Sequence, residues 1–205
     1  MNKDQPKSAS NIYNAMQVLI HTYDNVKKLF DALHEESENS GYLPTDYNQY
    51  LHWMSNRETY GWLARHFIKT FTRKGSVKNE LYTVEVNLNG IHEHDLAPVL
   101  ILGRHLYDRQ PDKFTSNEDA ANFSHRAWNT QRFEIDPENG FLDFDKVFHS
   151  KPKYNSGDWG KSRGFQQAVF IKLPLLGLSA AEIKPRIFDK LDCLLLPDST
   201  TPERG

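Results

Sequence analysis

Two histidines spaced two residues apart, His92 and His94, follow an Asn89-Gly90 pair. Asn-Gly is the strongest short hairpin signal, because both central positions of a type I′ turn need positive φ. A two-residue loop there sets Asn87 opposite His92 and Glu85 opposite His94. Strand alternation then puts Glu85, Asn87, His92 and His94 on one face and Val84, Val86, Leu88 and Ile91 on the other. Two imidazoles and a carboxylate so arranged form a candidate divalent-metal site, the basis for a metal-dependent hydrolase. The plainer reading is a solvated strand face on which a carboxylate happens to sit opposite a basic ring. No further ligand is fixed by spacing.

A second concentration of chemistry lies in Lys151–Gly164. Lys151, Lys153, Lys161 and Arg163 gather there with three glycines and Trp159, in a chain whose formal net charge is -2. Glycine lets backbone approach a ligand closely and the cations suit a phosphate or carboxylate. Trp159 offers a ring for stacking. Lys151, Lys153, Trp159, Lys161 and Arg163 are therefore the candidate binding residues for an anionic small molecule. The plainer reading is a polar surface loop that only connects strands.

Familiar spellings in the same region do not hold up. Gly160-Lys-Ser-Arg-Gly164 matches the G-x-S-x-G elbow of hydrolases, but polar residues precede it and the last histidine, His149, lies upstream. That elbow needs an apolar strand before it and its histidine after it. Gly160-Lys161-Ser162 ends like a phosphate-binding loop, yet Asn155 stands where the first glycine belongs. Glu182-Ile183-Lys184 has the E-x-K spelling of some nucleases, but Ser179-Ala-Ala-Glu182 is a capping box that already explains the glutamate. Asp143 and Asp145, with Glu134 and Asp136, read as the wet side of a hairpin rather than a cation site. Cys193 stands among Leu191, Leu194, Leu195 and Leu196, which suggests a buried small hydrophobe and not a nucleophile.

These groups must be carried by elements. Ile12, Met16, Leu19, Tyr23, Val26, Phe30 and Leu33 alternate steps of four and three, an a/d pattern that predicts a helix over Ser10–Glu36. Val18, Ile20 and Leu29 widen its stripe, which suits packing on the chain's own sheet, on a second copy, or on both. Glu35, Glu36 and Glu38 oppose the dipole at its end, so fraying is expected there. Residues 46–55 suggest a short helix, and Trp62–Arg73 leans to a strand. Leu81–Leu88, Pro98–His105 and Gln167–Leu178 read as strands, the last one or two strands around Pro174. Arg132–Ile135 and Phe141–Phe144 read as a second hairpin across a Pro-Glu-Asn-Gly turn. A short helix is expected within Asn117–Trp128, and another from Ser179 towards Leu195, with Pro185 able to kink it.

Together these elements give an α+β fold: a long N-terminal amphipathic helix on a mainly antiparallel sheet, with smaller helices and long loops. There is no βαβ alternation that would imply a parallel sheet. The 205 residues fit one domain, with 1–9 and 197–205 as expected flexible tails. With 25 basic against 27 acidic residues, no extensive binding to duplex nucleic acid is expected. No secretory leader is visible in Met1–Ser10, and Leu96–Leu102 is too short to span a bilayer. One cysteine excludes an internal disulfide and fits the cytoplasm. The reading is a non-catalytic binding or regulatory protein, a homodimer through the N-terminal helix, for an anionic small molecule or a protein partner. A metal-dependent hydrolase using His92, His94 and Glu85 is the alternative.

Overall fold

The structure is a computed structural model and describes residues 5–45, 51–53, 66–76, 79–88, 97–108, 133–135, 144–152, 165–175 and 177–196. A helix, α1 (Gln5–Asn39), opens the chain. Eight strands follow: β1 (Tyr42–Pro44), β2 (Leu51–Trp53), β3 (His66–Arg73), β4 (Glu80–Asn87), β5 (Val99–Tyr107), β6 (Phe133–Ile135), β7 (Val147–Pro152) and β8 (Phe165–Pro174). They form one sheet in the order β1-β3-β4-β5-β8-β7-β6, with β2 also on β3. Every pairing is antiparallel. A bent helix, α2, closes the described fold. Its turns are a 3-10 turn Ala180–Glu182, a π turn Lys184–Phe188 and an α turn Asp189–Asp192.

Local chemistry explains the ends of these helices. Gly41 at φ 81 takes the left-handed conformation that stops α1, and its N–H bonds back to the Glu38 carbonyl. In α2 the Ser179–Glu182 capping box forms, with the Glu182 carboxylate accepting from Ser179 N–H at 2.8 Å. Pro185 lacks an N–H and falls inside the π turn, which places the irregularity where regular hydrogen bonding fails.

The register sorts the sheet into two faces. Phe67, Phe71, Tyr82, Val84, Val86, Leu100, Leu102, Val169, Ile171 and Leu173 share one face by direct cross-strand pairing. Val26, Phe30 and Leu33 of α1 and Ile183, Ile187, Phe188 and Leu191 of α2 pack with them in one core cluster. The other face carries His66, Ile68, Thr83, Glu85, Asn87, Ile101, Gly103, His105, Phe170 and Lys172. It is buried as well, and every residue of β4 is buried on both sides.

Several expectations need correction. The helix starts at Gln5, so Ser10 lies inside it, and the acidic run does not fray it before Asn39. Residues 51–53, expected in a helix, are strand β2. β6 pairs with β7, and Phe144-Asp145 is a turn, while the rest of the expected 141–144 strand lies outside the described residues. Lys151 and Pro152 end strand β7 and are not loop; Lys151 stands opposite Glu134. Cys193 is exposed at the end of α2, because the leucines around it turn inward at 191 and 194 while 193 falls on the outer side. Residues 5–9, expected in a flexible tail, are the first turns of α1. The Asn89-Gly90 turn, the Asn117–Trp128 helix, residues 1–4 and residues 197–205 lie outside the described residues.

Candidate functional site

The buried polar face of the sheet gathers the titratable groups. Glu85, Thr83 and Asn87 are alternate residues of β4, all within 1% of complete burial. Glu85 Oε1 lies 3.4 Å from Nδ1 of His66 on β3. On the other side, Thr83 Oγ1 is 3.1 Å from Nε2 of His105 on β5. Complete burial pushes the His105 imidazole down to about 3, with Glu85 acting weakly in the opposite sense. His105 is therefore neutral, and its Nδ1 has no hydrogen-bond partner. Lys172 of β8 is also fully buried, its Nζ 4.5 Å from the centre of the Phe144 ring. Ile101 stands between Glu85 and Lys172 in the ladder, so the two side chains are two strands apart, about 10 Å.

This geometry changes the meaning of Glu85. It is on a closed interior face, not a solvated one. Both edges of β4 are also taken: Glu85 pairs with Ile68 and Ile101, and Asn87 with His66 and Val99. Neither His92 nor His94 can then be the cross-strand partner that a two-residue hairpin would make it. Asn-Gly argues for local pairing, whereas β4 pairs across the longer connection to Val99; the Asn89-Gly90 turn itself lies outside the described residues. His92 and His94 lie outside the described residues. Among the described residues, no group of three His, Cys, Asp or Glu side chains stands ready for a metal. Of the anion-binding set, Lys151 has a described backbone at the end of β7, whereas Lys153, Trp159, Lys161 and Arg163 lie outside the described residues.

A second polar group, on the helix-bearing face, anchors α2. Arg104 donates to Glu80 at 2.8 Å and to the Leu194 carbonyl at 2.8 Å, while the Tyr82 hydroxyl donates to Glu80 at 2.7 Å. Tyr42 donates to Asp192, which also meets Arg73 at 3.1 Å. Burial first, and then the neighbouring carboxylate, raise both phenols far above their ordinary range, so they act only as donors here. This network joins α2 to the sheet and has a sufficient structural role.

The third feature is the first half of α1. On a regular helix Ile12, Met16 and Leu19 lie on the same side as Val26, Phe30 and Leu33. Only the second half meets the sheet, where Tyr23 contacts the Phe67 ring edge to face at 5.9 Å. Before that point, Ile12 and Tyr13 are each 64% exposed, Met16 51%, Val18 64% and Ile20 46%. Ile12, expected to be buried in the fold or at a dimer contact, is not buried by its own chain. From Ser8 to Tyr23 the sequence carries no Asp, Glu, Lys or Arg. That uncharged run was readable beforehand. His66, His105 and Lys172 were missed because each sits alone in an otherwise ordinary strand.

The described residues form an α+β fold with a buried polar sheet face and an exposed, uncharged first half of α1. Comparison with protein-family models, curated proteins and solved structures finds no match. Among the described residues, no helix is long and apolar enough to cross a membrane.

Proposed function

We propose that this chain is a non-catalytic binding protein that works as a homodimer, joined through the first half of α1. The observation that carries this reading is the exposure of Ile12, Tyr13, Met16 and Ile20 along one side of an uncharged helix segment, with Val18 exposed on the opposite side. Large contiguous apolar patches mark association surfaces on soluble proteins. On the usual area scale each such side chain offers roughly 100 Å² to bury. Two copies joined by the four on one side then bury about 800 Å², the size of a weak, reversible contact. A second copy fits best because the segment has no formal charge, so like charges do not meet when it pairs with itself.

Helix propensity supports the same conclusion. Asn11, Ile12, Tyr13, Asn14, Val18, Ile20 and Thr22 are mediocre helix formers, and unpacked helices of this length are marginal in water. Burial against a partner is what holds such a segment helical. Amide hydrogen exchange tests this directly. Residues 9–20 should be protected at high protein concentration and lose protection on dilution, while β4 stays protected throughout. Fast exchange in 9–20 at every concentration would show an uncovered, fraying end.

The anion-binding role of Lys151, Lys153, Trp159, Lys161 and Arg163 remains part of the proposal on composition. The metal-dependent hydrolase loses the cross-strand geometry that motivated it, since Glu85 is engaged by His66 inside the sheet. A reducing compartment such as the cytoplasm suits an exposed Cys193, which would otherwise be open to oxidation.

A further inference from the structure

We infer that the Phe144-Asp145 turn is a strap closed by α2: an ion pair from Lys190 holds it shut and keeps the amine of Lys172 out of water. The device works within one chain and does not depend on the homodimer. Lys172 is completely buried on the sheet face opposite α1 and α2, beside Ile101 of β5. Its Nζ lies 4.5 Å from the centre of the Phe144 ring. That ring is 44% exposed, so it meets solvent on one side and the amine on the other.

Asp145 carries the strap from one face of the sheet to the other. Its N–H donates to the Lys172 carbonyl at 2.9 Å, which ties the turn to β8 just before β7 begins. Its φ of 62 is left-handed, a conformation that aspartate adopts more readily than most side chains but still at a cost. Its carboxylate meets Lys190 Nζ at 2.8 Å, on the helix whose Ile187 and Leu191 pack against the opposite face. Two neighbouring residues thus reach two faces: Phe144 covers Lys172, and Asp145 holds α2. Strained backbone persists only where surrounding contacts fix it. The Asp145–Lys190 pair is such a contact, and both its side chains are exposed. A pair so open to solvent is weak and screened by salt. The strap can therefore open while the sheet stays folded, and the position of α2 at Lys190 sets how often the amine is reached.

The test is single-hit acetylation of the full chain with N-hydroxysuccinimidyl acetate, read at each lysine by mass spectrometry. Lys28 is exposed on α1 and reports the reagent. Lys69 is buried on the helix-bearing face and labels only when the fold itself opens. In wild type, Lys172 should label more slowly than Lys28 and faster than Lys69. Lys190→Met keeps the stem and removes the charge; it should raise Lys172 labelling about 2- to 5-fold with Lys69 unchanged. Added salt should do the same in wild type and nothing more in Lys190→Met. Phe144→Ala removes the cover and should raise Lys172 labelling roughly tenfold relative to Lys69. An unchanged ratio of Lys172 to Lys69 in Lys190→Met would overturn the strap, and this exposed position decides the matter if Phe144→Ala fails to fold. An unchanged ratio in a folded Phe144→Ala would show that the ring is not the cover, which overturns it equally.

Discussion

Gly103 sits in the middle of β5, between Thr83 on β4 and Phe170 on β8. A methyl group there would stand 2.6 Å from Thr83 Oγ1, 2.8 Å from Phe170 Cε1 and 2.9 Å from His105 Nε2. All three neighbours are buried, so none can move aside into water. Gly103→Ala must therefore displace the Thr83–His105 contact or shift the strand. Overpacking a core by this much costs ~1–3 kcal/mol. Stranding a buried hydrogen-bonding group adds another ~1–3 kcal/mol. The sum of about 2–6 kcal/mol is a large share of the ~5–15 kcal/mol that holds a domain folded. For a chain of this size it lowers Tm by roughly 5–20 °C. Thermal melts should compare it with Gly75→Ala, where φ is 79 but nothing lies within 4 Å. That control meets only the strain of a Cβ in the left-handed region, ~1–2 kcal/mol. Thr83→Ala combined with Gly103→Ala should cost less than the two singles added, because the first opens room for the second. A Gly103→Ala melt within ~2 °C of wild type would refute this packing account.

Two further outcomes follow from the sites. His105 is neutral in the fold at about 3, whereas an unfolded imidazole binds its proton near ~6.5. The unfolded chain thus holds more protons between these values, so stability falls as pH drops from ~6.5 towards 3. The change is about 2 kcal/mol between pH 7 and 5. Urea unfolding at both pH values should show that loss, and His105→Gln should remove it; parallel losses in both proteins would assign the effect elsewhere. Inorganic phosphate should change Trp159 fluorescence in a salt-sensitive way, with Trp159→Phe as the control for the other tryptophans. A Lys161→Ala, Arg163→Ala variant that responds like wild type would reduce the loop to a connector.

The α+β architecture was legible because its carriers have strong periodic signals. The a/d stripe of α1 and the β-branched runs of β4, β5 and β8 each match one period over many residues. What the sequence did not show was which faces the sheet would cover. Glu85, alternating with Val84 and Val86, has the pattern of a half-solvated strand, yet it is fully buried beside His66. A buried charge with a partner in another strand is a tertiary fact, invisible to local alternation. Pairing partners are a tertiary fact as well: the β6–β7 contact joins Ile135 to Ser150, fifteen residues along the chain. In α1 the stripe was correctly read, but no local signal says where the sheet ends beneath it. The change from burial at Val26 to exposure at Met16 appears only when the helix and β3 are seen together.

The homodimer is tested most directly by molecular mass in solution. The chain weighs 23.8 kDa, and light scattering on wild type should give twice that at micromolar concentration. Met16 and Ile20 are exposed in the single chain, so Met16→Glu with Ile20→Glu leaves its own core intact while setting carboxylates into the joint. Burying even one such charge costs enough, ~2–3 kcal/mol, to weaken association about 30- to 150-fold. The account predicts a folded monomer for that variant, with a melting curve approached by wild type on dilution. A wild type that stays at one chain mass, or a variant that stays at two, would contradict it.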